Sequence, residues 1–188
     1  MPALQRLLPE FPDIKVEIVI DYGLTDIVAE RLDAGIRRGE TVAQGMISVP
    51  IGAPLRMTVF GSPAYFAGRE KPAKPQDLTA HSCIDLRLPT RGGLYAWEFG
   101  TARRQLRVRV EGQLVFNSTA LILAAATAGL GLGYLTEQQV RPHLQDGRLV
   151  RVLADWCEPF PGHHLYYPSR RQQTPAFSLF VEALRHEG

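Results

Sequence analysis

Between Pro2 and Arg38 the apolar residues change period three times, and that alternation constrains the fold more than any other feature of the chain. Leu4, Leu7, Leu8 and Phe11 recur at helical spacing, and Pro9 and Pro12 are expected to end that helix. Ile14, Val16, Ile18 and Ile20 then alternate with Lys15, Glu17 and Val19. This predicts a strand whose end is apolar on both faces, and hence central in a covered sheet. Leu24, Ile27, Val28 and Leu32 return to helical spacing, with Asp26, Glu30, Arg31 and Asp33 opposite them. Gly35 is placed to stop this second helix, and Ile36 and Arg37 read as a very short strand before Gly39. Helix, strand, helix, strand is the pattern of an α/β protein with a parallel sheet.

Farther on, the elements stay short. Residues 46–61 hold two extended segments broken at Gly52 and Pro54, and Ser62-Pro63 opens a short helix with Ser62 as N-cap. Lys71–Pro75 is a surface connection, because strand-like sequence resumes soon after it. Strands are expected at 83–86, 95–99, 105–110 and 113–116. Asn117-Ser118-Thr119 caps a helix to about Ala128, apolar nearly all round and so buried on most sides. A strand at 132–135 follows, then a helix from a capping box at Thr136 to about Leu144. Asp146-Gly147 turns the chain into a strand at 149–153. His164–Tyr167 is the last strand, and Thr174-Pro175 starts a final helix with Phe177, Phe180, Val181 and Leu184 on one face.

Composition excludes several classes. The chain has 188 residues, 45% of them hydrophobic and 21% charged, with a formal net charge of +2. That is a globular composition, with too little charge to argue for nucleic acid or membrane. No apolar run approaches the roughly 20 residues of a membrane span, and the N-terminus lacks a signal-peptide layout. A cytoplasmic protein is expected. Cys83 and Cys157 form no metal knuckle or disulfide framework and read as two buried thiols. His163 and His164, adjacent on a strand, point to opposite faces and cannot chelate one ion, so no metal and no cofactor is expected. No nucleophile elbow or acid–base pair stands out, which argues against an enzyme. Arg103, Arg104, Arg107 and Arg109 read as a solvated strand face, since no aromatics interleave them. The glycines at 129, 131 and 133 follow a helix instead of preceding one, so they read as a cap and not as a nucleotide loop.

Two places could hold an anion. Asn117, Ser118 and Thr119 stand where the free N–H groups of a helix's first turn point outward. Ordinary capping would use the same residues, and the spacing does not separate the two readings. Arg37-Arg38-Gly39 follows a short strand, where α/β proteins place ligands and an arginine can grip an anion bidentately. A surface arginine is the plain alternative.

The order of segments resembles one family. Phe11-Pro12-Asp13-Ile14 after a Leu-rich helix is similar to the opening of the second strand in effector-binding domains of LysR-type transcriptional regulators. Asp26 to Gly39, Ser62-Pro63-Ala64-Tyr65-Phe66, Pro75-Gln76-Asp77-Leu78 with His81-Ser82-Cys83-Ile84, and Trp97-Glu98-Phe99 resemble that family in order. So do Ala128 to Gly133, Gly147-Arg148-Leu149-Val150, Val152-Leu153 with Trp156, and Tyr166-Tyr167-Pro168. Leu135-Thr136 departs from the family's common Leu-Pro.

The resemblance implies an α/β, two-lobed fold like that of type II periplasmic binding proteins, each lobe a mixed sheet flanked by helices, with two crossovers. Lobe one would span 1–58 plus 163–188, and lobe two 59–162. A small anionic effector, a carboxylate, would be held by Tyr22, Arg37, Arg38, Gly39, Ser62, Asn117, Ser118, Thr119 and Tyr134. The implied partners are a second copy, through Leu4, Leu7, Leu8 and Phe11 against Val140 and Leu144, and a tetramer in the full-length bacterial regulator. DNA would be bound only through the family's N-terminal helix-turn-helix domain, which has no counterpart here; nor has the first strand of lobe one. The expectation is a fragment that senses without regulating, its absent strand supplied by a preceding segment or a neighbouring chain. An exported solute-binding protein for a small anion is the alternative on the same fold.

Overall fold

The chain leaves its first unit at Pro54 and returns to it at Pro161, so that Leu55–Phe160 forms a second unit. A computed structural model describes residues 2–21, 26–38, 45–88, 93–101, 104–169 and 174–185. The sequence places the divisions at 58/59 and 162/163; in the structure the strand Leu55–Gly61 lies whole in the second unit. Elements are numbered along the chain.

In the first unit, strands β1 (Gly35–Arg38), β11 (His163–Pro168) and β2 (Met46–Pro50) form a sheet in the order β1-β11-β2. Both pairings are antiparallel, which corrects the expected parallel arrangement here. Helix α5 (Pro175–Leu184) starts as its sequence dictates, with Thr174 Oγ1 accepting from the Phe177 N–H at 3.2 Å and Pro175 at its first position. Val181 packs on buried Val49, Leu165 and Tyr167, and Phe177 meets the Tyr167 ring edge-on at 5.2 Å. Helix α1 (Pro2–Glu10) lies against α5 and buries Leu7. Pro9 sits inside it and not at its end: a proline this late removes only one helical bond, and Phe11 N–H still reaches Leu7 O at 3.1 Å.

Two expectations fail in this unit. Residues 14–20 form no strand among the described residues, and Ile18, Val19 and Ile20 are 62%, 61% and 80% exposed. A strand needs a partner, and β1 ends the sheet order, with no described strand on its outer edge. Direct pairing of 16–20 with β1 does not occur. The helix expected from Leu24 is, over its described part, one turn. Asp26 Oδ1 accepts from the Val28 and Ala29 N–H groups, Arg31 takes a left-handed φ of 55°, and Leu32 N–H closes on Ile27 O at 2.8 Å. Arg31, not Gly35, stops the turn.

The second unit is built on β3 (Leu55–Gly61), which pairs antiparallel with β8 (Gly133–Thr136), β9 (Val150–Val152) and β10 (Pro159–Phe160). Strands β4 (Ile84–Leu86) and β7 (Leu114–Phe116) run parallel, and β5 (Trp97–Thr101) and β6 (Arg104–Val108) form a hairpin. Val59 enters a core with Leu78, Trp97, Leu132 and Tyr134; Phe60 enters another with Ile122, Ala126, Leu135 and Val140. Helix α2 (Pro63–Phe66) is capped by Ser62 as expected. Helix α3 (Thr119–Thr127) buries Ile122, Ala125 and Ala126 but leaves Leu121 half exposed, so it is covered on fewer sides than its composition suggests. It ends at Gly129, φ 81°, with Leu130 N–H on Ala125 O, the cap read from the sequence. Cys83 and Cys157 are free and buried; burial pushes the first thiol up to about 12 and the second to about 11, which leaves both unreactive near neutral pH.

Gly35 has a steric role. The Tyr166 ring lies across it, so that a Cβ there would sit 2.3 Å from ring carbon Cζ. Gly35→Ala is expected to force the ring aside and destabilise the first unit by about 1–3 kcal/mol. A urea denaturation midpoint equal to that of the parent chain would contradict this placement of the ring.

Candidate functional site

In the first unit one candidate, Arg37, shares a face of the sheet with His164 and Tyr166. Arg37 is opposite His164, and Gly35 opposite Tyr166, in the β1–β11 ladder. Side chains alternate along a strand, so Arg37, His164 and Tyr166 face away from the Leu165–Tyr167 core. The Arg37 guanidinium carbon is 5.5 Å from the Tyr166 ring centroid, a cation–π distance. Ser48 Oγ and His164 Nδ1 are hydrogen-bonded at 2.9 Å. Arg38 points to the other face, opposite His163; partial desolvation and the Arg38 charge hold that imidazole below its usual value. Tyr22 and Gly39 lie outside the described residues.

In the second unit the parallel pair β4–β7 delivers two chain segments to the same end. Past β7 come Asn117, Ser118 and Thr119; past β4 comes Arg87, whose N–H donates to Phe116 O at 2.8 Å. Ser118 is the N-cap of α3, but its side chain makes no capping hydrogen bond. Thr119 Oγ1 instead accepts from Gln139 Nε2 at 3.1 Å, and Gln139 Oε1 accepts from Thr136 Oγ1 at 2.9 Å. These bonds tie the start of α3 to the start of α4 (Glu137–Gln145). The first turn of α3 therefore opens at the carboxyl ends of parallel strands without a capping hydrogen bond from Ser118, where aligned backbone dipoles favour an anion. Arg87 was missed in the sequence, although it has the same signal as Arg37: an arginine one residue past or at the end of a very short apolar strand.

Ser62 and Tyr134 do not join this arrangement. Both are buried and both hydroxyls are used internally. Ser62 Oγ accepts from the Tyr65 N–H at 3.1 Å. Tyr134 stacks against Trp97 at 5.1 Å and Tyr95 at 6.4 Å and donates to Glu98 O. The interface residues need a correction too. Val140 is fully buried beside Phe60 and Leu149, and Leu144 packs on the same core. The apolar stripe of α4 is thus consumed by its own sheet. Leu7 is buried, whereas Leu4, Leu8 and Phe11 are half-buried.

Other chemistry is sparse. Among the described residues no group of three His, Cys, Asp or Glu side chains could hold a metal, and no helix is long and apolar enough to cross a membrane. Arg107 and Arg109 are exposed, and Arg107 pairs with Glu98 at 3.1 Å, as a solvated strand face would. Asp85, on β4, is buried, and desolvation pushes its carboxyl up to about 6, with Glu111 adding to the shift. A shallow cavity of about 130 Å³ is lined by Leu94, Tyr95, Glu98 and Arg107 among others, and by none of residues 117–119.

Comparison with known proteins places this geometry. A protein of Pseudomonas aeruginosa described as a transcriptional regulator is 55% identical over 186 residues, covering 99% of this chain and 61% of its own length. The HTH-type transcriptional regulator PgrR of Escherichia coli is 43% identical over 188 residues, covering 100% of this chain and 63% of its own. This chain therefore spans about three fifths of the length of those relatives, which are named as regulators and not as enzymes. The regulatory domain of AphB from Vibrio vulnificus shares the fold at a TM-score of 0.80 and 21% identity, covering 97% of this chain and 89% of that one. The CrgA regulatory domain of Neisseria meningitidis does so at 0.80 and 21%, covering 97% and 88%. The model of the LysR substrate binding domain matches residues 1–188, and the chain belongs to that family: it is a substrate-binding domain of the LysR-type transcriptional regulators.

Proposed function

We propose that the chain senses a small carboxylate effector, and that the open first turn of α3 is the anchor for it. The observation that carries this reading is the placement of Ser118 and Thr119 at the carboxyl end of a parallel strand, with the Ser118 hydroxyl left out of the cap. Arg87 follows the neighbouring parallel strand, with its backbone N–H on Phe116 O. The named relatives support a regulatory role. On this reading the effector alters the DNA contacts of an intracellular regulator through the part of such proteins that lies beyond this chain. A solute-binding protein would use the same kind of site, but no relative reported above is named as one.

We also propose that two copies associate, with the half-buried Leu4, Leu8 and Phe11 of α1 against the outward face of α4, where Gln138, Arg141 and Gln145 are exposed. Light scattering at tens of micromolar should give twice the 20.9 kDa of one chain; a monomeric mass contradicts the association.

The effector reading is tested by a thermal-shift screen of small carboxylates, followed by calorimetry with the strongest hit. A ligand at 100 times its dissociation constant stabilises by about 2.7 kcal/mol, a shift such a screen detects. Combining Ser118→Ala with Thr119→Ala should weaken that ligand by about tenfold or more, roughly 1.4 kcal/mol. Unchanged affinity in the double variant would place the site elsewhere.

A further inference from the structure

Among the described residues Asp85 is the only charged side chain that the fold buries, at 2% exposure. Side chains alternate along β4. Ile84 and Leu86 serve the core beneath α3, so Asp85 turns to the opposite face with Cys83, which belongs to the Trp97–Tyr134 core. Across the parallel ladder its partner is Val115, whose side chain has no polar atom to offer. No described residue hydrogen-bonds the carboxyl, and the charged group that acts on it is Glu111, of the same sign. Other titratable and charged groups around that face are engaged elsewhere or lie outside it. His81 Nδ1 meets the Tyr65 hydroxyl at 3.3 Å, and the Cys83 thiol donates to Leu78 O at 3.9 Å. Tyr95, whose N–H donates to Leu86 O, directs its hydroxyl to Glu98. On the β5–β6 hairpin Glu98 pairs with Arg107, and Arg107 and Arg109 alternate with the inward Val108 and Val110. Arg87, two residues along β4, is exposed.

We propose that Asp85 is a proton-operated switch of the second unit: its neutral form holds the β4–β7 pair, and with it the start of α3, more firmly than its ionised form. A carboxylate in an apolar setting with no donor is costly to keep charged, and its acid form carries much less of that cost. Burial accordingly pushes the Asp85 carboxyl up to about 6, and the Glu111 carboxylate adds to the shift. The folded-state value thus lies above the ordinary 3.8 of an aspartate. Protonation therefore stabilises this unit at low pH, and that contribution is lost as the pH rises through about 6. The strand concerned is the one on which the start of α3 depends. Ile84 N–H donates to Leu132 O, and Arg87 N–H donates to Phe116 O, one residue before Asn117. A charge at Asp85, between those two bonds, acts on the carboxyl ends of β4 and β7 together. This inference goes beyond the effector reading and stands whether or not a ligand is held at α3.

The test is a pH titration of the whole chain by NMR, reading side-chain carboxyl carbons and backbone amides, with Asp85→Asn as the uncharged counterpart. A carboxyl carbon with a midpoint of about 6 is expected in the parent chain and absent from Asp85→Asn. The amides of Val115, Phe116 and Thr119 should follow that midpoint in the parent and lose it in the variant. Urea denaturation should separate the two chains in the same way. Between about pH 4 and about pH 7 the parent should lose stability relative to Asp85→Asn. Glu111→Gln, an exposed change that leaves Asp85 in place, should lower the Asp85 midpoint, and it carries the test if Asp85→Asn does not fold. An Asp85 carboxyl that titrates near its ordinary 3.8 overturns the proposal. So do amides of β7 and α3 that ignore the Asp85 midpoint, a stability difference that does not change with pH, and a midpoint that Glu111→Gln leaves where it was.

Discussion

Strand β3 carries adjacent residues into opposite cores, and the second unit depends on that division. Val59 and Phe60 are both fully buried, one beneath the Trp97–Tyr134 stack and the other beneath α3 and α4. The same strand bonds to β8 on one side and to β9 and β10 on the other. A one-residue slip of β3 would exchange the two side chains and empty both cores at once. The neighbour that makes room is Gly133, where a Cβ would lie 2.5 Å from the Phe60 ring. Holding β8 there also holds Leu132, whose N–H and carbonyl bond to Ser82 and Ile84 and so position β4. In turn β4 aligns β7, and β7 sets the start of α3. The candidate anion site thus stands three strands removed from the residues that fix its position.

In the first unit the strand with that duty is β11, which arrives from the far end of the sequence and separates β1 from β2. Leu165 and Tyr167 serve the α5 core, while His164 and Tyr166 serve the opposite face. Residues of the α5 core and residues of the opposite face therefore alternate on one strand. The guanidinium of Arg37 has its orientation because Tyr166 is held by β11 and Gly35 gives the ring its space. Energetics and site geometry share the same contacts here, so neither can be altered alone.

Local signals in the sequence were legible wherever the chemistry is local. The Ser62-Pro63 and Thr174-Pro175 starts, the Gly129 stop and the Phe177–Leu184 stripe all depend on residues within a turn of one another, and all were readable. The strand expected at 14–20 was not, because a strand exists only by its partner, and alternation along one segment carries no information on whether that partner is beside it. The parallel pattern failed in the first unit for a related reason: β11, whose residues lie 125 to 131 positions beyond their β1 partners, decides the direction of pairing. Tyr134 and Ser62 looked available as polar groups, but which hydroxyl is consumed internally is decided by tertiary neighbours such as Glu98. Val140 fell to the same cause, since one apolar stripe satisfies either its own sheet or a partner. Whole-chain resemblance supplied what local periodicity could not, namely the two crossovers and the family.

The central claim is that the open first turn of α3 anchors a small carboxylate. It is tested most directly by following the backbone amides of Thr119, Ala120 and Leu121 during an NMR titration with the best ligand of the screen. The account predicts that the three amides move along one saturable curve with the dissociation constant that calorimetry gives. Binding of that ligand with no movement of these amides would contradict it.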